Sequence, residues 1–262
     1  MASAQAVGGE SFDDEDVVAA YAHRTPYPPA MHARLVELAT GHGALLDLGC
    51  GPGKLAGALA GDFQQVDAVD LSPAMIAAGK AANPATNIRW IVGPGETAPA
   101  AGPYDLIVAG SSIHWMNHEV LMPRLADALA PAAVLALVGG DGSHEAPWQP
   151  QFMAFLIRWV EVFGETWNSP AIRARGSAHE PWFDVLGREA FTHSHTQSLA
   201  SVIEGEHSRA TWTRARMGEV LAAKFDKELE GILSPHARGG LLSFTVRSEI
   251  TWGHPRRTPR AG

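Results

Sequence analysis

The chain of 262 residues has few cysteines, little positive charge and no long apolar run. Its one cysteine, Cys50, has no second cysteine with which to form an internal disulfide. The chain has 20 lysines and arginines against 28 aspartates and glutamates, and this balance argues against a nucleic-acid-binding surface. No apolar run approaches the roughly 20 residues that span a bilayer, and residues 1–10 lack a signal-peptide pattern. We therefore expect a cytoplasmic monomer or homodimer that binds a small molecule, with neither nucleic acid nor a membrane as partner.

The apolar content is sufficient for one full core. Hydrophobic residues make up 46% of the chain, and this length suits a single domain with a modest elaboration. Residues 1–12 are small and polar, so we predict a disordered N-terminus there. A single domain should follow over residues 13–253, and the arginine- and proline-rich residues 254–262 should form a flexible tail.

Residues 44–55 contain an apolar run that breaks into three closely spaced glycines. This pattern predicts a strand, a tight turn and a helix that begins at about Lys54. Gly49, Gly51 and Gly53 allow positive φ angles and leave room for a ligand near the backbone, and the helix N-terminus offers unpaired N–H groups. We expect the loop to contact a nucleotide-like ligand, although Gly-x-Gly alone is shared by nicotinamide, flavin and S-adenosylmethionine folds.

Residues on either side of the glycines discriminate between these ligands. Asp47 lies at the carboxyl end of the first strand, where its charge suits an ammonium group and would repel a pyrophosphate. Asp70 ends a second apolar run, in a position from which a carboxylate can accept hydrogen bonds from ribose hydroxyls. A helix capped by Ser72 follows, so Leu71 and Met75 are placed to cover an adenine face. These features favour a methionine-containing adenosine cofactor over a dinucleotide.

At this point the sequence resembles a known family. Asp-Leu-Gly-Cys-Gly-Pro-Gly at 47–53, followed by Val-Asp-Leu-Ser-Pro-x-Met-Ile at 69–76, is similar to the class I S-adenosylmethionine-dependent methyltransferases. The segments at 21–28 and 104–115 are similar to the small-molecule group that includes the trans-aconitate methyltransferases. The resemblance covers residues 17–140 and is loose beyond them. It implies S-adenosyl-L-methionine as the cofactor.

The alternation of apolar runs and helical patterns predicts an α/β fold with a parallel, doubly wound sheet. Strands are predicted at 44–48, 65–70, 88–92, 105–109, 133–138, 190–197 and 241–252. Helices are predicted at 30–39, 54–60, 73–82, 121–129 and 210–233. The resemblance implies that the sheet is Rossmann-like, seven-stranded and mostly parallel, with an antiparallel last strand. It also implies that a helical insertion at 141–185 caps the acceptor pocket.

The resemblance assigns further cofactor contacts to Tyr21, Arg24, Gly95, Glu96 and Ser111. In the family, the tyrosine and arginine close over the methionine end of the cofactor; the alternative is a surface arginine beside a core tyrosine. Pro94 stands where many relatives carry an aspartate that accepts a hydrogen bond from the adenine amino group. A backbone carbonyl, Glu96 or water would have to accept that bond here.

His114 is the candidate catalytic residue. It follows strand four by four residues, at the sheet edge where open α/β folds bind ligands. It could act as a general base, as a donor that orients a carboxylate, or only as a wall of the pocket. With an ordinary pKa of about 6.5, the first two roles predict opposite dependences of activity on pH.

Three more residues are candidates for the acceptor pocket. Trp115 and Trp148 would suit the walls around an apolar or planar acceptor, or they are core residues. Arg209 could bind a carboxylate bidentately, or pair with Glu204 or Glu206 on the surface.

The expected function is O-methylation of a small organic metabolite at a carboxylate or hydroxyl by an S-adenosylmethionine-dependent methyltransferase. The alternatives are N- or C-methylation of a small molecule, and a cofactor-binding protein of this fold without methyl transfer. A macromolecular substrate is disfavoured by the acidic balance, and a nicotinamide oxidoreductase would leave Asp47 unexplained. His193 and His195 have no third ligand near them in the sequence, so we expect no metal.

Overall fold

The computed structural model describes residues 15–97 and 102–260. The N-terminus for which disorder is predicted, at 1–12, lies outside these described residues. The bounds of a single methyltransferase domain at 13–253 stay a prediction.

The described residues form two compact units. The sheet unit contains residues 27–97, 102–140, 174–191 and 248–260. The helical unit contains residues 15–26, 141–173 and 192–247.

The described residues contain the following strands and helices, in chain order. The strands are β1 Ala44–Leu48, β2 Gln65–Asp70, β3 Ile88–Val92, β4 Tyr104–Gly110, β5 Leu129–Gly139, β6 Ser143–His144, β7 Phe183–Ser198 and β8 Leu241–Pro255. The helices are α1 Glu15–Tyr21, α2 Pro29–Leu38, α3 Lys54–Leu59, α4 Pro73–Ala82, α5 His118–Ala128, α6 Gln149–Val162, α7 Pro170–Ser177, α8 Leu199–Glu206 and α9 Arg214–Leu233. Within the described residues, no helix is long and apolar enough to cross a membrane.

The predicted fold class is confirmed. Strands β1 to β5 are parallel in the order β3-β2-β1-β4-β5, and β8 pairs antiparallel with β5. Among the described residues the sheet has eight strands, because β6 pairs with β8 in addition to the seven expected strands. Since β1 lies between β2 and β4, the ends of these three strands meet at one edge of the sheet. The glycine loop after β1 and the residues after β2 and β4 therefore lie side by side.

Alternation along the strands gives the sheet unit an apolar layer on each face. Leu45, Val66 and Leu106 belong to one cluster of buried side chains, and Leu46 and Ile107 belong to another. The helical unit has its own core, centred on four side chains that are almost fully buried: Phe155, Trp159, Phe225 and Leu229. The packing of both faces holds the strand ends, and with them the loops, in fixed positions.

Several predicted bounds differ from the structure. Helix α5 begins earlier than predicted because Asn117 accepts a hydrogen bond from the Glu119 N–H and caps it. The region predicted as one helix at 210–233 begins as a turn, and α9 starts after Thr213, which accepts a hydrogen bond from the Arg216 N–H. Strand β7 begins seven residues before the predicted position, at Phe183.

The flexibility predicted for the tail at 254–262 stays a prediction, but its residues as far as Arg260 make contacts that composition did not indicate. The first of these residues continue β8 through Pro255. Arg256 and Arg260 then form ion pairs with Asp184. Arg257 forms another with Asp127, at 2.5 Å. Composition predicted a loose tail, whereas its arginines form ion pairs with aspartates that are distant in sequence.

Candidate functional site

The loop between β1 and α3 has the conformation that its glycines predict. Gly49, Gly51 and Gly53 have φ angles of 66°, 53° and 79°, a region that disfavours side chains. A Cβ atom on Gly49 would lie 2.4 Å from the Ser112 Cβ, and one on Gly53 would lie 2.4 Å from the ring of Trp90. Two of the glycines are therefore also required by neighbouring side chains, a reason that sequence reasoning missed.

Asp47 is a buried carboxylate, and one of its two oxygens lacks a hydrogen-bond partner among the described residues. Its side chain is 1% exposed, and its Oδ2 accepts a hydrogen bond from the Ala56 N–H at 2.9 Å, in the first turn of α3. Its Oδ1 is buried and has no hydrogen-bond partner among the described residues. Burial raises the pKa of Asp47 to about 7; the Ala56 hydrogen bond opposes this rise and the charge of Asp70 adds to it. An ammonium group would supply the missing donor, so this carboxylate fits the methionine end of the expected cofactor.

Asp70 holds the loop in place. Its Oδ2 accepts a hydrogen bond from the Gly51 N–H at 2.8 Å, and its Oδ1 accepts one from the Ser72 N–H at 2.9 Å. Each carboxylate oxygen can accept a second bond, so the predicted ribose contact remains compatible with these two. Of the two residues expected to cover the adenine, Leu71 is 57% exposed, whereas Met75 is 1% exposed and lies in the core beneath.

The turns after β3 and β4 bring three more of the expected cofactor residues, Gly95, Glu96 and Ser111, to the same edge. Glu96 accepts a hydrogen bond from the Asn117 N–H at 2.6 Å. A Cβ atom on Gly95 would lie 3.1 Å from the Met116 sulfur. Ser111 has a φ of 52°, and its N–H donates to the Val138 carbonyl oxygen.

His114 and Trp115 form a short 3₁₀ turn after β4, with ring centroids 4.9 Å apart. The pKa of His114 is lowered to about 4, chiefly by burial and in addition by the charges of Arg175, His179 and His118. The ordinary pKa assumed from the sequence is therefore wrong for this environment. The imidazole is neutral at physiological pH, where it can donate or accept a hydrogen bond but carries no charge.

Arg175 is a residue of this site that sequence reasoning missed. It lies on α7, and its guanidinium carbon is 4.5 Å from the centroid of the Trp115 ring. Trp115 itself is 36% exposed. No local pattern pointed to this arginine, because only the fold brings α7 against the turn after β4.

Tyr21 and Arg24 lie in the helical unit. The Arg24 guanidinium is 4.2 Å from the centroid of the Tyr21 ring, and it donates to the Ser208 Oγ at 2.7 Å. It also lies 3.6 Å from the Asp141 carboxylate, and its side chain is 11% exposed. Arg24 is therefore not the surface arginine of the alternative interpretation. Its contact with the cofactor stays a prediction.

Arg209 and Trp148 also lie in the helical unit. Arg209 forms ion pairs with Glu206 at 3.2 Å and with Asp141 at 3.3 Å, and these carboxylates raise its pKa above an already high ordinary value. One alternative for Arg209, pairing with Glu206, is thus observed. Trp148 is 3% exposed and packs edge-on against Phe244, which corresponds to the core alternative for that residue.

The two histidines weighed as metal ligands also lie close together. The ring centroids of His193 and His195 are 5.9 Å apart. Among the residues that the structure describes, no group of three or more histidines, cysteines or carboxylates could hold a metal ion.

Comparison with known proteins finds similar chains. A family described as "Methyltransferase domain" matches residues 45–132. The trans-aconitate 2-methyltransferase of Paracidovorax citrulli is 34% identical over 164 residues, which cover 59% of this chain and 59% of that protein. The trans-aconitate 2-methyltransferase of Methylobacterium radiotolerans is 32% identical over 230 residues, 81% of this chain and 79% of that protein. The chain thus spans less than two thirds of the length of the Paracidovorax citrulli protein and more than two thirds of the length of the Methylobacterium radiotolerans protein.

A solved structure has a similar fold. It is that of an Anaeromyxobacter dehalogenans protein assigned as a type II methyltransferase, with a TM-score of 0.66. The alignment covers 90% of this chain and 99% of that one, at 22% identity. At this identity the likeness concerns the fold alone.

Proposed function

Because the chain belongs to the class I S-adenosylmethionine-dependent methyltransferases, in the group that includes the trans-aconitate methyltransferases, we propose that it methylates a carboxylate oxygen of a small polycarboxylic acid. Trans-aconitate is the first acceptor to test. The similarity to the Methylobacterium radiotolerans protein over 81% of the chain is the observation that carries this proposal.

The residues at the carboxyl edge of the sheet suit the cofactor. Asp47 would bind its ammonium group through the buried oxygen that has no partner among the described residues. Asp70 would accept hydrogen bonds from the ribose hydroxyls while it continues to hold the Gly51 N–H. When bound, S-adenosylmethionine would supply a methyl carbon on a sulfonium sulfur; a carboxylate oxygen would bond to that carbon, the neutral thioether of S-adenosylhomocysteine would leave, and no proton would need to move.

A carboxylate acceptor also suits the lowered pKa of His114. An acceptor that is ionised at neutral pH needs no base, only a fixed position, and positioning can supply about 7 to 11 kcal/mol of the barrier. A hydroxyl, amine or carbon acceptor would need its proton removed, and a histidine with a pKa of about 4 is a weak base. In our proposal His114 positions the acceptor by a neutral hydrogen bond and exchanges no proton with it.

The proposal can be tested with the purified chain. Calorimetry with S-adenosylmethionine and with NAD should show binding of the former only. Incubation with S-adenosylmethionine and trans-aconitate should then yield a methyl ester detectable by mass spectrometry, and Asp70→Ala should yield far less at a subsaturating cofactor concentration. Tight cofactor binding without any ester would refute this acceptor and favour a protein of this fold that does not methylate trans-aconitate.

A further inference from the structure

Arg175 on α7 differs in its partners from the arginines Arg24 and Arg209 described above. Arg24 and Arg209 each lie beside a carboxylate. Among the described residues, no carboxylate lies within ion-pair distance of Arg175, whose recorded contact is the face of Trp115. An exposed guanidinium without an acidic partner keeps its hydrogen-bonding capacity for a ligand.

The stacking of the Arg175 guanidinium on Trp115 does not use the N–H donors of the guanidinium. A guanidinium over an indole face is held by cation–π attraction, while its N–H donors point outward in the plane of the group. Such a planar fork matches the two oxygens of a carboxylate. Part of Trp115 remains exposed beside it, so the pair forms a surface with one apolar face and one cationic edge.

Three histidines and two glutamates, Glu96 and Glu180, belong to the charge environment around this pair. His114, the residue next to Trp115, is neutral at physiological pH, and His118 and His179 also have lowered pKa values, chiefly because of burial. An incoming carboxylate would therefore meet the charge of Arg175 beside uncharged imidazoles. Glu96 influences the pKa of His118 and Glu180 influences that of His179, and Glu96 is engaged with the Asn117 N–H.

We propose that Arg175, held against Trp115, recognises a carboxylate of the acceptor that is not the one methylated. This inference rests on the proposed function and names its specificity-determining residue. A carboxylate engaged bidentately by a guanidinium has its charge compensated and its oxygens occupied, so it is a poor nucleophile. The acceptor must then carry at least two carboxylates, one bound by Arg175 and another that reacts.

The test compares Arg175→Gln with Arg173→Gln, which removes the same charge from the same helix. Arg173 donates to the Asn168 carbonyl oxygen and has no part in the site described above. With Arg175→Gln the KM for trans-aconitate should rise about 10- to 100-fold, as expected for the loss of a hydrogen bond to a charged group. The KM for S-adenosylmethionine should stay within about twofold, Arg173→Gln should behave as wild type, and Arg175→Lys should recover part of the loss.

A second measurement separates this inference from the proposed function. The affinities of trans-aconitate and of crotonate, a monocarboxylate, are measured by calorimetry on the chain saturated with S-adenosylhomocysteine. Wild type should prefer the tricarboxylate, and Arg175→Gln should lose that preference. If wild type methylates trans-aconitate but Arg175→Gln keeps the same KM, the inference is overturned and the proposed function stands.

The opposite result is also informative. If no ester forms but trans-aconitate binds in an Arg175-dependent manner, the proposed reaction fails and the assignment of Arg175 is supported. If wild type binds trans-aconitate no better than crotonate, the inference is overturned whichever acceptor is methylated.

Discussion

Replacing Asp47 by asparagine should stabilise the cofactor-free protein, and by an amount that depends on pH. Burial raises the pKa of Asp47 from 3.8 to about 7 in the folded chain, so the folded state keeps its proton over a range in which the unfolded chain has lost it. The free energy of unfolding therefore falls as pH rises through this range. Asparagine is neutral throughout and can still accept the hydrogen bond from the Ala56 N–H.

The magnitude follows from the size of the shift. Each pH unit between the two pKa values contributes about 1.4 kcal/mol, so the advantage of Asp47→Asn should grow by roughly 4 kcal/mol between about pH 4 and pH 7 and then level off. Urea unfolding of both chains at about one-unit pH steps, without cofactor, measures this difference. A difference that stays constant with pH would mean that the buried carboxylate is not destabilised, and the reasoning would be refuted.

Asp184→Asn is a control with the opposite sign. Hydrogen bonds from Arg260 and Arg256 lower the pKa of Asp184, so its contribution to stability is present above its unfolded pKa and is lost as pH falls. This variant should be less stable than wild type near neutral pH and similar to it in strong acid. Its pH dependence should therefore run opposite to that of Asp47→Asn.

The same carboxylate should make cofactor binding depend on pH. An ammonium group beside the Asp47 Oδ1 favours the ionised form, so binding below about pH 7 must release a proton. The affinity for S-adenosylmethionine should then fall up to about tenfold for each pH unit below that value. Asp47→Asn, although more stable when empty, should bind the cofactor at least about tenfold more weakly, as calorimetry would show.

Three further predictions concern the same edge of the sheet. Asp70→Ala should weaken S-adenosylmethionine binding at least about tenfold, and it should also lower the melting temperature because the Gly51 and Ser72 N–H groups lose their acceptor; unchanged values would contradict this. His114→Gln should lower kcat/KM without changing its pH dependence between about pH 5.5 and 8.5, because the imidazole is already neutral in that range. If the wild-type activity rises with pH through about 6.5 and the variant does not show this rise, His114 is a base instead. Gly49→Ala should destabilise the chain by about 1 kcal/mol or more in urea unfolding, since the new Cβ requires a strained φ and meets the Ser112 Cβ; a neutral effect would show that the loop adapts.

The parts of the fold that local patterns specify could be predicted closely. Strands β2 and β3 and helix α4 have the predicted bounds, because apolar alternation and the Ser72-Pro73 cap act over a few neighbouring residues. The positive φ angles of the three loop glycines are equally local. The extra strand β6 was missed, since a two-residue strand has no periodicity and exists only through its pairing with β8.

The candidate site was predictable only in part, for a related reason. The position of Asp47 at the end of β1 followed from the sequence, but its bond to the Ala56 N–H depends on how α3 folds back over the strand. The histidine after β4 was also identified, whereas its pKa depends on burial and on Arg175, far away in the chain. Charge environments arise from residues that sequence spacing does not bring together.

The sequence by itself thus determined the order of strands β1 to β5, the glycine turn, and the two carboxylates that adjoin it, because each of these depends on short stretches of neighbouring residues. Only the tertiary structure decided which of the arginines discussed above lie beside carboxylates and which lies on an aromatic face. Arg209 pairs with Asp141, and Arg175 lies on the face of Trp115, through contacts between distant segments. Such contacts form only when the whole core packs, so no local pattern of residues encodes them.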